Sequence, residues 1–442
     1  MKVFLFYLKY FFIRFHAIKR YLSIIKSESL DNEQLSALQL KKMKALFSHA
    51  KRNSPYYADK FKNISESDIN SIKDWEKLPI LTKEDIRLYE NDIKIKNVSS
   101  SRFREVTTGG SSGQPLKLFH DKNHSVDALG WRALTWWGVH PSDNIGFIYR
   151  KVRVGFTSIL NYVLWLPTKR FFLDASLINE RSMELFISKI KKNKPKIING
   201  YVGAVVEFSR YCLSNNIHIK GVEAVWVTAA PLSEANRILI QKAFNCSVFD
   251  QYGCSEIYWV AVECKQHNGL HVFEDARYVE ILDNNNNNVQ DGKYGTVAIT
   301  DLENYAFPLI RYINGDRGRF LHEEPCDCGL KYKKLDKIKG RISECLRSPH
   351  GNVIAGEYLT TIFDDKPELV SDFQIRQLHD YSVILYCVIN QEDEETMSYC
   401  NSKVKLISDL LGGGCDVTLS IVHKIEHDDG KTRFIRSDIK VN

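Results

Sequence analysis

Apolar residues recur at helical spacing through the first part of the chain and give way to short alternating runs later. Leu35, Leu38, Met43, Leu46 and Phe47 approximate a 3.6-residue period, which predicts helix across 31–62, broken at Asn53-Ser54-Pro55. In IKDWEKLPILTKEDIR, Pro79 marks a turn and Thr82 is placed to cap a short helix from Lys83. Helical patterns follow at 123–138, from Glu180 to Lys194, and in SEANRILIQKAF. Between them IIN (197–199), AVWVTAA (224–230) and SVFDQY read as buried strands. From 270 the texture is β: HVFEDARYVEILD, GTVAITDL and PLIRY. Asn284 to Asn288 fit a hairpin loop between two of these runs. The texture shifts again after KIKGRISECL, which places a domain boundary near Arg341.

The N-terminus combines apolar and basic residues. MKVFLFYLKYFFIRFHAIKRYLSIIKS is interrupted at Lys2, Lys9, Arg14, Lys19 and Arg20, so no run approaches the roughly 20 apolar residues of a spanning helix. No small-residue cleavage site follows it, which argues against a secretory signal. Lys2, Lys9, His16 and Ser23 recur every seven residues, with Lys19, Arg20 and Lys26 nearby and Arg14 across the wheel. The pattern predicts one basic amphipathic helix over 1–30. Such a helix either lies on an anionic membrane or docks its apolar face on the protein.

Size and charge narrow the class. A chain of 442 residues is expected to form at least two domains. At 44% hydrophobic and 12% aromatic it is globular, not disordered. A net charge of +7, from 61 basic and 54 acidic residues, is too dilute for a nucleic-acid-binding protein. Its ten cysteines read as reduced thiols or metal ligands, which points to the cytoplasm.

The candidate chemistry begins at TTGGSSGQPLKLF (107–119). It lacks the spacing of a Walker loop, yet glycines and hydroxyls free backbone N–H groups for an oxyanion. A hairpin of the same composition would look alike. The stretch is followed in order by YGCSE (252–256), RYINGDRGR (311–319), KIKGR (337–341) and HDDGKTRF (427–434). Together these resemble the motifs of the adenylate-forming superfamily, in particular its phenylacetate–coenzyme A ligase and CapK-like branch. HAKRNSPYY and KLPILTKEDIR resemble the N-terminal part of that branch.

The resemblance implies a large α/β N-terminal domain with mixed sheets over 31–341, and a small mobile α+β domain over 342–442. It implies ATP-dependent activation of a carboxylic or amino acid as acyl-AMP, with pyrophosphate released. The acyl group would pass to coenzyme A, a carrier-protein thiol or a sugar amine, in capsular or exopolysaccharide biosynthesis. Thr108, Ser111, Ser112 and Gly113 would hold the β- and γ-phosphates, with help from Ser255. Glu256 would bind Mg²⁺, and Tyr252 would stack near adenine opposite a wall of Ala229, Ala230 and Pro231. Asp316 would accept hydrogen bonds from the ribose hydroxyls, and Arg341 would contact the ribose or phosphates. Lys431 would reach the α-phosphate and carboxylate in the adenylation transition state. Cys254 would pack beside the site without acting as a nucleophile.

Three departures stand out. Leu116 follows the proline where many relatives have lysine, Asn314 replaces a frequent threonine, and Ile342-Ser343-Glu344 leaves the hinge between Ser343 and Glu344. Those in the loop and hinge support a rival class, a non-catalytic nucleotide-binding, zinc-stabilised scaffold at a membrane periphery. Cys264-x6-His271 and Cys326-x-Cys328 form a further set. Three thiolates and an imidazole suit structural Zn²⁺, the alternative being unligated core thiols. Trp131, Trp136, Trp137, Tyr201 and Trp259 are available for an aromatic substrate pocket or for the core.

Overall fold

The first 27 residues fold as two helices, α1 (Lys2–Ile13) and α2 (Phe15–Ser27). The single helix expected over 1–30 is therefore broken. Arg14, the basic residue that fell across the wheel, has φ −143° and ψ 55°, outside the helical region. Its guanidinium pairs with Asp127. The break lets α2 bury Ala17, Ile18, Tyr21 and Ile24 on the body of the protein.

The computed structural model describes residues 1–96, 98–107, 116–122, 126–149, 164–175, 178–322, 324–338, 346–350, 353–354, 359, 362–363, 366, 368–425 and 434–439. The chain forms two units: Met1–Ser142 with Gln251–Lys337, and Asp143–Asp250 with Ile338–Asn442.

In the first unit the predicted stops and starts are visible as caps. Helix α3 (Asn32–Asn53) opens with a capping box between Asp31 and Gln34. It stops at Ser54, whose side chain caps α4 (Pro55–Lys60), with proline at the first turn where no N–H is needed. After α5 (Ile72–Trp75), Thr82 and Asp85 form the capping box of α6 (Lys83–Ile93). Strands Phe103–Thr107 and Lys117–Asp121 pair antiparallel, and α7 (Asp127–Trp136) follows.

Strand Arg277–Leu282 pairs antiparallel with Gly295–Asp301, which pairs with Tyr312–Gly318. The asparagine run lies in the first of these hairpins, where the Asp283 carboxylate accepts from the Asn285 and Asn287 N–H groups. PLIRY is not itself a strand: extended pairing starts at Tyr312, after Arg311 at φ 49°. The short strands Ala261–Glu263 and Leu270–Val272 are antiparallel, and Lys334–Leu335 pairs with the latter.

An ion pair sits at the centre of this unit. Arg132 on α7 is fully buried and donates from two nitrogens to the two oxygens of Asp275, at 2.8 and 2.9 Å. Its guanidinium lies 4.2 Å from the Phe273 ring centroid. Ser27, the last residue of α2, donates to the same carboxylate at 2.5 Å. Arg20 pairs with Glu303, and Trp136 donates to Glu28 at 2.8 Å. Trp131 packs edge-on against Phe6, Tyr10 and Tyr21. Trp137 is buried and donates to the Glu263 carbonyl at 2.7 Å. Trp131 and Trp137 are thus core, and Trp136 fastens the end of α2.

In the second unit, parallel strands run in the order 170–174, 145–149, 197–201, 224–228 and 247–250. Helices α8 (Glu180–Asn193), α9 (Val202–Ser214) and α10 (Glu234–Phe244) supply Phe186, Phe208 and Phe244 to the strands' apolar core. This strand–helix alternation is the predicted α/β pattern. Residues 370–437 contribute a four-stranded mixed sheet and α11 (Glu394–Leu410) around a separate core containing Phe373, Leu385 and Phe434.

The buried pair sets a stability test. The neighbouring guanidinium holds Asp275 down at about 2 against the desolvation that burial imposes. Its folded pKa is depressed, so the pair's stabilisation is present above the unfolded carboxylate pKa and lost as pH falls toward about 2. Asp275→Asn strands the buried guanidinium and is expected to cost about 3–5 kcal/mol in urea unfolding at neutral pH. A loss below about 1 kcal/mol would contradict this reading.

Candidate active site and candidate metal centre

Two carboxylates singled out by the sequence are gathered in the first unit by one strand, Tyr312–Gly318. Asp316 Oδ2 accepts from the Tyr252 hydroxyl at 3.0 Å and from Asn314 Nδ2 at 2.6 Å. Asn314 also donates to the Tyr252 oxygen at 2.8 Å, and its Oδ1 accepts the Asp316 N–H at 3.0 Å. Gly315 between them has φ 86°, a conformation open to glycine at little cost. Asn314, read as a departure, is the residue that clamps Asp316. A threonine has one hydroxyl and could not give all three contacts at once.

Four residues upstream of Asp316, Tyr312 is fully buried and donates to Glu256 Oε1 at 3.0 Å. Glu256 is itself 5% exposed. Burial and the adjacent carboxylate raise the Tyr312 phenol far above its ordinary range, so it stays a donor. Burial likewise raises the Cys254 thiol well above its usual value, which keeps it a neutral packing group.

His120 was not singled out by the sequence. It lies on strand Lys117–Asp121, meets the Ser255 carbonyl at 2.9 Å through Nε2, and stacks on Tyr258 at 4.7 Å. Burial lowers its pKa, favouring a neutral ring that donates to this carbonyl. The strand that leaves the glycine-rich stretch is thereby tied to the YGCSE segment. Leu116 is buried at that strand's start, while Lys117 pairs with Glu105 at 3.2 Å. Lys117 is thus engaged by a carboxylate of the paired strand.

In the second unit Ala229, Ala230 and Pro231 follow the strand Ala224–Thr228. Ala229 has φ 76°, a strained value for a residue with a Cβ. Tyr201 meets Tyr149 edge-on at 4.8 Å. Thr108, Ser111, Ser112, Gly113, Arg341 and Lys431 lie outside the described residues.

The cysteine–histidine set converges in the first unit. Pairing of Lys334–Leu335 with Leu270–His271 brings the CDCG turn to the Cys264–His271 hairpin. One ligand atom from each of Cys264, His271, Cys326 and Cys328 lies within 4.8 Å of all the others. Zn–S bonds of about 2.3 Å at tetrahedral angles would place two sulfurs about 3.8 Å apart. Cys264 Sγ and Cys326 Sγ are 3.7 Å apart, and Cys328 Sγ is 3.3 Å from His271 Nε2. His271 Nδ1 meets the Tyr332 carbonyl at 3.1 Å, which fixes the ring and aims Nε2 at the sulfurs. Burial lowers this imidazole to about 4, so it is neutral, as a ligand must be. The donor set fits zinc.

The CapK C-terminal domain family matches residues 346–438. Protein CapK of Staphylococcus aureus is 26% identical over 449 residues, 97% of this chain and 95% of its own length. Phenylacetate–coenzyme A ligase of Escherichia coli K12 is 25% identical over 344 residues, covering 72% of this chain and 74% of that one. The chain is an adenylate-forming, CapK- and phenylacetate–coenzyme A ligase-like protein. It is a ligase. The fold agrees. The crystal structure of 2-hydroxyisobutyryl-CoA ligase in the postadenylation state, in complex with 2-HIB-AMP, superposes with TM-score 0.74 at 18% identity, covering 93% and 91% of the two chains. A benzoate CoA ligase from Burkholderia xenovorans superposes with TM-score 0.53 at 12% identity, covering 76% and 68%.

Tyr312→Phe removes the hydroxyl from Glu256 and little else. Loss of a hydrogen bond to a charged group in the core is expected to lower unfolding free energy by about 1.5–3 kcal/mol. An unchanged urea midpoint would show that Glu256 does not depend on this donor.

Proposed function

We propose that this ligase activates a carboxylic acid with ATP and passes the acyl group to a thiol, with coenzyme A the acceptor that its ligase relatives favour. The observation that carries the reading is the clamp of Tyr252 and Asn314 on Asp316. It fixes a carboxylate suited to the two ribose hydroxyls of a nucleotide. A carboxylate oxygen of the acid attacks the α-phosphorus, the bond to the bridging oxygen breaks, and pyrophosphate leaves. The acceptor thiol then attacks the acyl carbon, and AMP leaves with the oxygen that formed the mixed anhydride.

Roles follow from the residue types. Thr108, Ser111, Ser112 and Gly113 offer hydroxyl and N–H donors to the β- and γ-phosphates, and Ser255 assists them. Glu256 is a hard oxygen donor that accepts from the neutral Tyr312 phenol, which suits Mg²⁺. When bound there, Mg²⁺ would neutralise phosphate charge. Tyr252 and the Ala229–Pro231 segment border the adenine. Arg341 contacts the ribose or phosphates, and Lys431 balances charge at the α-phosphate and carboxylate. Residues 342–442 act as a mobile domain that separates the two half-reactions. Cys264, His271, Cys326 and Cys328 hold a structural Zn²⁺, with four protein ligands leaving no position for substrate.

By its resemblance to the CapK-like branch, the enzyme acts in making a cell-surface polysaccharide. In that setting a carrier-protein thiol or sugar amine replaces coenzyme A as acceptor. The enzyme works in the cytoplasm, at the inner face of the membrane.

Two experiments test the reading. ATP–pyrophosphate exchange should appear with at least one member of a panel of carboxylic and amino acids. With that acid, Lys431→Ala should lower exchange by about 10²-fold or more, and Asn314→Ala should raise the KM for ATP by about tenfold. Absence of exchange with every acid removes the enzyme reading, and full exchange by Lys431→Ala removes that residue's role. Metal analysis should find about one zinc per chain, lost in Cys326→Ser/Cys328→Ser. Equal zinc in both proteins would end the metal assignment.

A further inference from the structure

Helix α2 and helix α1 have different fates. Helix α2 is pinned by Ser27, Arg20 and Glu28, so the docked-helix alternative holds for it. Helix α1 docks through Phe6 and Tyr10 alone among its buried residues. At about 100° per residue, Phe4, Leu8, Phe11 and Phe12 fall on the opposite face. Phe4 is 67% exposed, Phe11 52% and Phe12 77%. Phe15 and Leu22 extend the same exposed surface onto α2. Ten of the 18 large exposed hydrophobic residues among those described lie in residues 1–22. That concentration is a patch, not the scattered exposure of an ordinary surface.

The charge that the two helices themselves carry is of one sign. Residues 1–27 contain six Lys and Arg and no Asp or Glu. On the helical wheel Lys2 and Lys9 share one flank of the α1 apolar face, while Arg14, beyond the end of α1, is paired with Asp127. On α2, exposed Lys19 and Lys26 point to the same side as Phe15 and Leu22. An apolar stripe bordered by cations matches the acyl–headgroup boundary of an anionic bilayer. A second copy of this chain would bring the same cations against one another. Twelve helical residues rise about 18 Å, short of the roughly 30 Å hydrocarbon core. No described helix is long and apolar enough to cross a membrane. The segment would therefore lie in the interface plane.

We infer that the outward face of α1, continued by Phe15 and Leu22, is a docking surface for the headgroup region of an anionic lipid bilayer. The inference specifies the membrane contact of the proposed function and is independent of the adenylation chemistry. Exposed residues carry it, so the fold should survive their replacement.

Full-length protein is sedimented with phosphatidylcholine vesicles and with vesicles carrying about one-third phosphatidylglycerol. Binding is expected on the anionic vesicles, at least about tenfold stronger than on phosphatidylcholine, and weakened by salt. Phe4→Ser/Phe11→Ser/Phe12→Ser should lose it by about tenfold or more, with unchanged thermal unfolding and unchanged ATP–pyrophosphate exchange. Lys19→Gln/Lys26→Gln should weaken it and flatten the salt dependence. No binding to anionic vesicles at low salt, or equal binding by the triple variant, overturns the proposal. So does a dimer in solution that the triple variant alone abolishes, without vesicle binding by the native protein.

Discussion

The buried Asp275 carboxylate is the constraint on which the first unit depends. It takes both guanidinium donors of Arg132 and the hydroxyl of Ser27, while Lys42 reaches its backbone carbonyl. Three helices are thereby fastened to one short segment, 273–277. That segment follows the strand bearing His271 and leads into strand Arg277–Leu282. Two strand pairings later the same sheet presents Tyr312, Asn314 and Asp316. A charge this deep tolerates no loss of partner, because an unpaired buried ion costs several kcal/mol. Helix docking and the entry to the sheet that carries these side chains therefore meet at one interaction.

The two site carboxylates are held differently from Asp275. Glu256 is met by a tyrosine, and Asp316 by a tyrosine and an amide. These neutral donors fix the direction of each carboxylate. Such preorganisation leaves a carboxylate able to take a metal ion or a pair of sugar hydroxyls with little further rearrangement. The cysteine–histidine cluster differs by its chemistry: three thiolates and an imidazole closed around a metal ion would tie two distant segments together and offer nothing to substrate.

Local signals were legible where the physics is local. Asp31, Ser54 and Thr82 cap helices, as their side chains and positions dictate. The hairpin around Asn284 to Asn288 likewise follows from turn chemistry. The cysteine–histidine set was legible from residue type, although its convergence needed the pairing of Lys334 with His271, 63 residues apart in sequence. Other features were hidden for physical reasons. Arg14 interrupts the apolar face between Tyr10 and Ile18, but one misplaced cation does not announce that tertiary burial of α2 divides the helix. Tyr312 reads as one more apolar position in a strand, and its partner lies 56 residues away. Asn314 read as a deviation because a pairwise motif comparison sees the substitution and not the clamp. His120 carried no signal beyond its closeness to the glycine-rich stretch.

Adenylation leaves an isotopic record that no other ATP-dependent acid activation leaves. With an acid that supports exchange, prepared with oxygen-18 in its carboxylate, a complete turnover to the acceptor should place one labelled oxygen in AMP. Label found in inorganic phosphate, or AMP formed without label, would contradict attack of the acid on the α-phosphorus.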